Sequence, residues 1–171
     1  MVIPKVSSER REYIPIGWLE PPTIASDLVF VLPDATKLQF ALLSSAMHMA
    51  WMRQIGGRLE SRYRYSIGLV YNTFPLADVS EAAAKRIEKL VDNLLVARSN
   101  HADSNLSDLY DGDLMPPDLR KAHSALDAAV DRLYKRSGFQ SERDRVEHLL
   151  GLYEKMTDPL IASGSKKTQK E

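Results

Sequence analysis

The feature that most restricts the fold of this chain is the placement of its prolines: five of the nine fall within the first 33 of 171 residues. Proline lacks a backbone N–H and clashes with the preceding helical turn, so a long helix does not fit there. Short extended runs do fit, at Tyr13–Ile16 and Leu28–Leu32. Because Leu28–Leu32 is continuously apolar, the sequence predicts a strand there that is buried on both faces.

The next segment changes character twice. Lys37–Arg53 places apolar residues at helical spacing, with Asp34 as a candidate N-cap and the double glycine at 56–57 as its end. This pattern predicts one helix. Ser61–Phe74 is rich in Tyr, Ile and Val, residues that favour extended structure, and it predicts a strand or one arm of a hairpin.

From residue 78 onward the apolar spacing is that of amphipathic helices. The first predicted helix contains an apolar stripe from Ala84 to Leu95, the second begins at Pro117 and ends near Gly138, and the third is capped by Ser141. Three helices of this kind can form a small antiparallel bundle.

The sequence therefore predicts an α+β fold. A partial mixed β/α region would occupy residues 1–77, a small antiparallel helical bundle residues 78–158, and a disordered tail residues 159–171. Two or three short strands rarely make a stable sheet without a covering layer. The N-terminal region is thus part of something larger, or its core is completed by the chain's own helices or by a missing partner.

The composition excludes several classes of protein. The 23 basic and 23 acidic residues balance, and the chain has no cysteine, which excludes disulfides, thiolate zinc sites and cysteine nucleophiles. It contains no apolar run of membrane-spanning length and no signal-peptide pattern, so we expect a cytoplasmic protein without a membrane partner. The phosphate-binding, dinucleotide-binding and serine-hydrolase motifs are also missing from the sequence.

No residues form a convincing catalytic or metal site. The four histidines lie far apart in the sequence, and the aspartates at 108, 111 and 113 lack the bidentate glutamate of a calcium loop. We therefore expect neither catalytic residues nor metal ligands in this chain.

One stretch predicts binding chemistry. Charged residues occupy four alternate positions here, at Arg58, Glu60, Arg62 and Arg64. In an extended strand alternate residues share one face, so these four would share one face, and Tyr63 and Tyr65 would pack on the other. Arginine can contact guanine O6 and N7, and glutamate can accept a hydrogen bond from cytosine N4. Such a row suits a nucleic-acid surface. The alternative is a solvated edge strand with ion pairs between residues two apart.

Other basic residues are candidates for phosphate contacts, which fix register without reading sequence. Arg53 precedes the row and Arg58 is its first member, while Arg10 and Arg11 belong to a second basic stretch that, taken alone, is better explained as a solvated turn.

Several long blocks of this sequence resemble the C-terminal part of MmeI-like type IIG/IIL restriction–modification enzymes, over about residues 2–156. The blocks are Pro4–Gly17, Met47–Arg53, Gly57–Ser66, Val70–Pro75, Leu109–Asp111, Met115–Pro117, Lys121–Asp127 and Ala129–Tyr134.

The resemblance implies a specific domain arrangement. Enzymes of this family carry an endonuclease, an adenine-N6 methyltransferase core, a target-recognition domain and terminal helices in one polypeptide. This chain is similar only to the last part, so the S-adenosylmethionine and catalytic motifs, and the Mg²⁺ site for cleavage, are expected upstream. The chain would bind no cofactor itself, and its partners would be double-stranded DNA and the upstream methyltransferase domain.

The resemblance also assigns base-reading positions. In the family, the positions matching Glu60 and Arg62 select one base pair, those matching Lys5 and Asp27 select a second, and those matching Leu28 and Arg64 tune a third. The resulting hypothesis is a DNA-recognition fragment that is not catalytic alone. The alternative is a structural or protein-interaction module that docks an acidic partner or another subunit.

Overall fold

A computed structural model describes the backbone of residues 1–165 and the side chains of residues 1–158. Within residues 1–165 there are five short strands, six α-helices and one turn of π-helix. In chain order the elements are β1 (Val2–Pro4), β2 (Val6–Ser7), β3 (Val29–Val31), α1 (Lys37–Leu43), α2 (Ala46–Ile55), β4 (Gly57–Leu59), β5 (Arg62–Arg64), the π-helix (Ile67–Tyr71), α3 (Glu81–Ser99), α4 (Leu106–Leu109), α5 (Pro117–Tyr134) and α6 (Glu142–Ser165). The α+β prediction is confirmed.

The strands form two small antiparallel sheets. β1 pairs with β3, and β5 lies between β2 and β4 in a three-stranded sheet. Lys5, between β1 and β2, joins the two sheets through its backbone: its N–H donates to the carbonyl of Leu28 and its carbonyl accepts from the N–H of Tyr65, each at 2.9 Å. The side chains of Lys5 and its neighbours are therefore held at the junction.

Two predictions for the proline-rich segment are corrected. β3 is not buried on both faces, because Leu28 and Val31 are 70% and 57% exposed and the sheet has only one other strand. The segment Tyr13–Ile16 forms no strand, although Tyr13, Ile14 and Ile16 are buried. Apolar character in this segment thus marks core contacts more reliably than it marks strands.

The predicted helix over Lys37–Arg53 is two helices. Thr36, not Asp34, caps α1 in a reciprocal capping box with Gln39, and Ser45 begins α2 by accepting from the N–H of His48. A serine cap in mid-segment competes with helix continuation because its side chain satisfies the backbone groups that a new helix start leaves free. The end of α2 at the double glycine is as predicted.

The C-terminal helices follow the sequence closely. α3 buries Ile87, Val91 and Leu94, α4 lies in the connection, and α5 has Pro117 as its first residue. α5 ends at Tyr134, four residues before Gly138, which has a φ of +70°. α6 continues to Ser165, into the segment predicted as a tail, and residues 166–171 lie outside the described residues.

The chain's own helices complete the core. One buried cluster extends from Met1 to Leu149, with Trp51 and Phe40 among its largest members. α3 packs on α5 and also on α1, while α6 packs mainly on α2. The C-terminal helices therefore pack on the N-terminal helices α1 and α2, and the ion pair of Arg145 with Asp131 at 2.7 Å joins α6 to α5.

Buried polar groups link the two halves of the chain. The carboxylate of Asp127 on α5 accepts from the Tyr13 hydroxyl at 2.6 Å and from the backbone N–H of Ala46, the first residue of α2, at 2.7 Å. Burial raises the pKa of Asp127 to about 6. Arg98 on α3 likewise donates to the carbonyl of Ile16 at 2.8 Å. These bonds fix the N-terminal segment against the helices.

Among the described residues, no helix combines the length and apolar character needed to cross a membrane.

Candidate nucleic-acid interface

The row of charged residues lies on a hairpin. β4 and β5 pair antiparallel with Leu59 opposite Arg62, so Glu60 and Ser61 form the two-residue turn between them. Glu60 has a φ of +58°, a conformation that only glycine adopts without cost. The prediction that the four side chains share one face of an extended strand is wrong, because the row crosses a turn that the alternating spacing does not reveal.

The hairpin separates the four charged residues. Arg58 lies opposite Tyr63 and therefore shares its face, whereas Arg62 and Arg64 occupy the other face of β5. The guanidinium of Arg58 stacks 4.1 Å from the centroid of the Tyr63 ring. Only Arg62 and Arg64 therefore share a strand face as predicted, with Glu60 beside them at the tip.

The tyrosines behave as predicted. Tyr63 and Tyr65 are 7% and 3% exposed, on the side of the strand that faces the core. The Tyr65 hydroxyl is 2.8 Å from Nε2 of His48, whose burial lowers its pKa to about 3. His48 is therefore a neutral core group that anchors the strand end, and this anchoring fixes the backbone that carries Arg62 and Arg64.

Glu60 and Arg62 form an exposed ion pair. Oε2 of Glu60 is 2.7 Å from Nη2 of Arg62, and the two side chains are 76% and 46% exposed. This is the ion pair between residues two apart that the solvated alternative requires. The same pair also presents a carboxylate and a guanidinium together to solvent. Because an ion pair this exposed contributes only about 0–1 kcal/mol, it opens readily and both groups are available to a ligand.

Three of the predicted base-reading residues meet in one groove. Lys5, Leu28 and Arg64 line a groove of about 690 Å³ between the two sheets, together with Phe30, Leu59 and Leu69. The ammonium of Lys5 lies 5.2 Å from the centroid of the Phe30 ring. Asp27 is exposed in the turn directly before Leu28 and does not line the groove. Residues far apart in the sequence thus form a common surface with two cationic groups and an apolar lining.

Sequence reasoning missed the apolar part of this groove. Leu59 and Leu69 are 44% and 58% exposed, and Leu69 lies on the π-helix, within the segment predicted to be a strand or one arm of a hairpin. Single turns of π-helix occur frequently at functional sites. The residue types of Ser61–Phe74 favour strand, so no local signal in the sequence pointed to this turn.

Arg53, predicted to contact phosphate, makes intramolecular contacts. It is paired with Glu142 of α6 and donates to the Tyr63 hydroxyl at 3.2 Å and to the carbonyl of Arg11 at 3.3 Å. Its side chain is 27% exposed. In this structure Arg53 connects α2, α6 and the strands, and little of its guanidinium faces outward.

Arg10 and Arg11 also contact the protein itself. Arg10 pairs with Asp111 at 2.8 Å and with Asp113 at 3.4 Å, and Arg11 donates to the Ser107 hydroxyl at 2.5 Å. Arg10 remains 63% exposed. The basic stretch is therefore a turn fastened to the connection between α3 and α5, and its contact with phosphate remains a prediction.

The part of the chain with described side chains contains no candidate metal site, and its buried histidines are core groups. No group of three or more His, Asp or Glu residues there has the geometry to hold a metal ion. The buried His123 is hydrogen-bonded to Tyr110 at 2.6 Å, and burial lowers its pKa to about 3, as expected for a neutral core histidine.

Comparison with known proteins gives consistent matches over nearly the whole chain. Residues 1–78 match the family model "MmeI, target recognition domain" and residues 79–161 match "MmeI, C-terminal domain". The "DNA methyltransferase A" of Bacillus subtilis (strain 168) is 42% identical over 158 residues, which are 92% of this chain and 18% of that protein.

A solved structure matches as well. The type IIL restriction-modification enzyme MmeI, solved in complex with DNA, superposes with a TM-score of 0.88 at 48% identity, covering 92% of this chain and 21% of the other. The chain thus spans about one-fifth of the length of these two relatives. With both of its halves matched by family models, the chain belongs to the MmeI family and corresponds to its target recognition and C-terminal domains.

Proposed function

We propose that this chain recognises a short sequence in double-stranded DNA on behalf of a restriction–modification enzyme. The observation that carries the proposal is the exposed Glu60–Arg62 pair at the hairpin tip, next to a groove lined by Lys5 and Arg64. The family match to a target recognition domain supports it. So does the structural match to an enzyme solved with DNA.

The pair at the tip has the chemistry to read one C·G base pair. The guanidinium of Arg62 can donate to guanine O6 and N7, and the carboxylate of Glu60 can accept from cytosine N4. Because their mutual ion pair is exposed, exchanging it for contacts with bases costs little. The buried Tyr63 and Tyr65 hold the strand rigid behind them.

Two further base pairs would be read by residues that line the groove together with Asp27 in the adjoining turn. Lys5 and Asp27 are a donor and an acceptor for a second pair, and Arg64 with Leu28 would adjust a third. Lys5 is well suited to this role because both of its backbone groups are hydrogen-bonded, to Leu28 and to Tyr65. Arg58, exposed near the tip, and Arg10, 63% exposed, are candidates for phosphate contacts.

The proposal assigns catalysis to the rest of a longer polypeptide. There, an upstream domain would bind S-adenosylmethionine and methylate adenine at N6, and an endonuclease with Mg²⁺ would cleave. S-adenosylmethionine supplies the transferred methyl group. This chain would hold the DNA in register, bind neither cofactor, and act in the cytoplasm.

Binding of a labelled DNA duplex at increasing salt concentration tests the proposal. A DNA-binding surface loses affinity steeply with salt because bound phosphates release counterions. Arg62→Gln should weaken binding and relax sequence preference. Arg136→Gln is the control, since it removes the same charge from an exposed arginine that lies outside the hairpin and the groove.

Competition separates this function from docking of an acidic protein. The competitors are polyglutamate and unlabelled duplex DNA, each added to the complex of the chain with the labelled duplex. If both displace the labelled duplex equally well, and Arg62→Gln behaves like Arg136→Gln, the surface binds anions in general and the proposal is wrong.

A further inference from the structure

The two glycines that follow α2 have different structural requirements. A Cβ atom on Gly56 would lie 2.4 Å from the carbonyl oxygen of Met52, so the end of the helix requires glycine there. A Cβ atom on Gly57 would meet no atom within 4 Å. Gly57 also has no positive φ, so neither packing nor backbone conformation of the chain explains the missing side chain.

Glycine is unfavourable in a strand, and Gly57 is the first residue of β4. It gives no side chain to pack and has more conformational freedom to lose on folding than any other residue. Glycine in a strand often marks a place where a ligand approaches the backbone closely. Gly57 lines the groove together with Lys5, Leu28 and Arg64, so a ligand that enters this groove would approach the backbone of Gly57.

The environment of Arg64 shows what the missing side chain leaves open. On β5, Arg64 lies opposite Val6 on one side and opposite Gly57 on the other. Directly opposed side chains in antiparallel strands have Cβ atoms about 4.5–5.5 Å apart. Val6 therefore fills one flank of the Arg64 side chain, and the flank at Gly57 is empty.

We propose that Gly57 is a further specificity-determining position, which keeps the groove open beside Arg64 so that a DNA base edge can approach the guanidinium. This inference rests on the proposed function. A side chain at position 57 would stand in the groove, displace Arg64 or the base, and change which base pair is preferred there.

Substitution at position 57 should separate stability from recognition. Gly57→Val places a strand-favouring residue in open space, so the melting temperature should stay the same or rise. Gly57→Ala is the smaller step. Gly151→Ala on α6 is the matched control, because a Cβ atom there also meets nothing within 4 Å and Gly151 does not line the groove.

The 171-residue chain and each variant are used to select bound sequences from a randomised pool of DNA duplexes, and the selected duplexes are sequenced. The melting temperature of each variant is measured separately by thermal unfolding. For Gly57→Val we expect about a tenfold or larger loss of preference at one base pair, the size of one base contact. The same base pair should lose preference in Arg64→Ala. Gly151→Ala should select the parent sequence.

Other outcomes overturn the proposal in distinguishable ways. If Arg64→Ala changes the selected sequence but Gly57→Val does not, Gly57 has no role in specificity and the proposed function stands. A large drop in the melting temperature of Gly57→Val would show that the glycine serves the fold. If the unaltered chain selects no sequence, the proposed function fails and the role of Gly57 fails with it.

Discussion

The hydroxyl of Tyr13 donates a 2.6 Å hydrogen bond to Oδ2 of Asp127, 114 residues further along the chain. Tyr13 follows the basic turn near the start of the chain, and Asp127 lies on α5. Since Asp127 also accepts from the first N–H of α2, one carboxylate connects three segments that come from both family-model regions.

Removing that hydroxyl should destabilise the protein. Tyr13→Phe leaves a buried charged acceptor with one bond fewer, and hydrogen bonds to charged groups contribute about 1.5–3 kcal/mol. Chemical denaturation should show a loss of that size in the free energy of unfolding. Tyr153→Phe is the control, because among the described residues its hydroxyl makes no hydrogen bond. Equal losses for the two variants would contradict the role of the Tyr13 bond.

Asp127 should make stability depend on pH. Burial raises its pKa from 3.8 to about 6, outweighing the hydrogen bonds from Tyr13 and Ala46, which lower it. Between these values the folded state binds more protons than the unfolded state, so the free energy of unfolding falls as pH rises from about 4 to 6. The contribution is at most about 3 kcal/mol.

Asp127→Asn isolates this contribution from that of other groups. The buried His48 and His123, whose pKa values are lowered to about 3, act in the opposite direction, since they destabilise the fold as pH falls below about 6.5. The free energy of unfolding is measured against pH for the parent and for the asparagine variant. The difference between the two free energies should therefore change with pH only between pH 4 and 6. A difference that is flat with pH would show that Asp127 titrates normally.

Exchanging the charges at the hairpin tip should reverse one recognised base pair. Glu60→Lys combined with Arg62→Asp places the donor and the acceptor at each other's positions, so selection from a randomised duplex pool should enrich the opposite pair at one position. Glu147→Lys with Arg143→Asp exchanges a similar exposed pair on α6, with a separation of 2.8 Å, and should leave the sequence unchanged. An unchanged sequence in the first variant removes the assignment of Glu60 and Arg62.

The turn at the tip should gain stability from glycine. Glu60 has a positive φ, so Glu60→Gly relieves a conformational cost of about 1 kcal/mol while removing the carboxylate. Thermal unfolding should show a higher melting temperature, and discrimination of the base pair should weaken. Ser61→Gly, at the neighbouring turn position without positive φ, should not raise the melting temperature.

Arg53 should contribute to stability more than to DNA binding. Arg53→Gln breaks the ion pair with Glu142 and the bonds to Tyr63 and Arg11, for a loss of about 1–3 kcal/mol. The salt dependence of DNA affinity should change little. If stability is instead unchanged and the salt slope decreases by about one, Arg53 contacts a phosphate as the sequence predicted.

Local pattern predicted the three long C-terminal helices well. α3, α5 and α6 lie where the 3.6-residue apolar spacing placed them, since that spacing requires a single core-facing side and nothing more distant. It did not reveal that α6 packs on α2, because the period shows which face is buried and not what covers it.

The same division between local pattern and tertiary structure holds for the proposed recognition surface. The sequence by itself determined which residue types are available for reading bases, through the Arg and Glu row and its resemblance to one family. Only the tertiary structure decided which of them share a surface. A two-residue turn moved Arg58 to the face of Tyr63, and Glu142 engaged Arg53. Strand pairing between distant segments brought Lys5, Leu28 and Arg64 into one groove. These outcomes depend on register and on contacts between distant segments, which the spacing of residues along the chain does not encode.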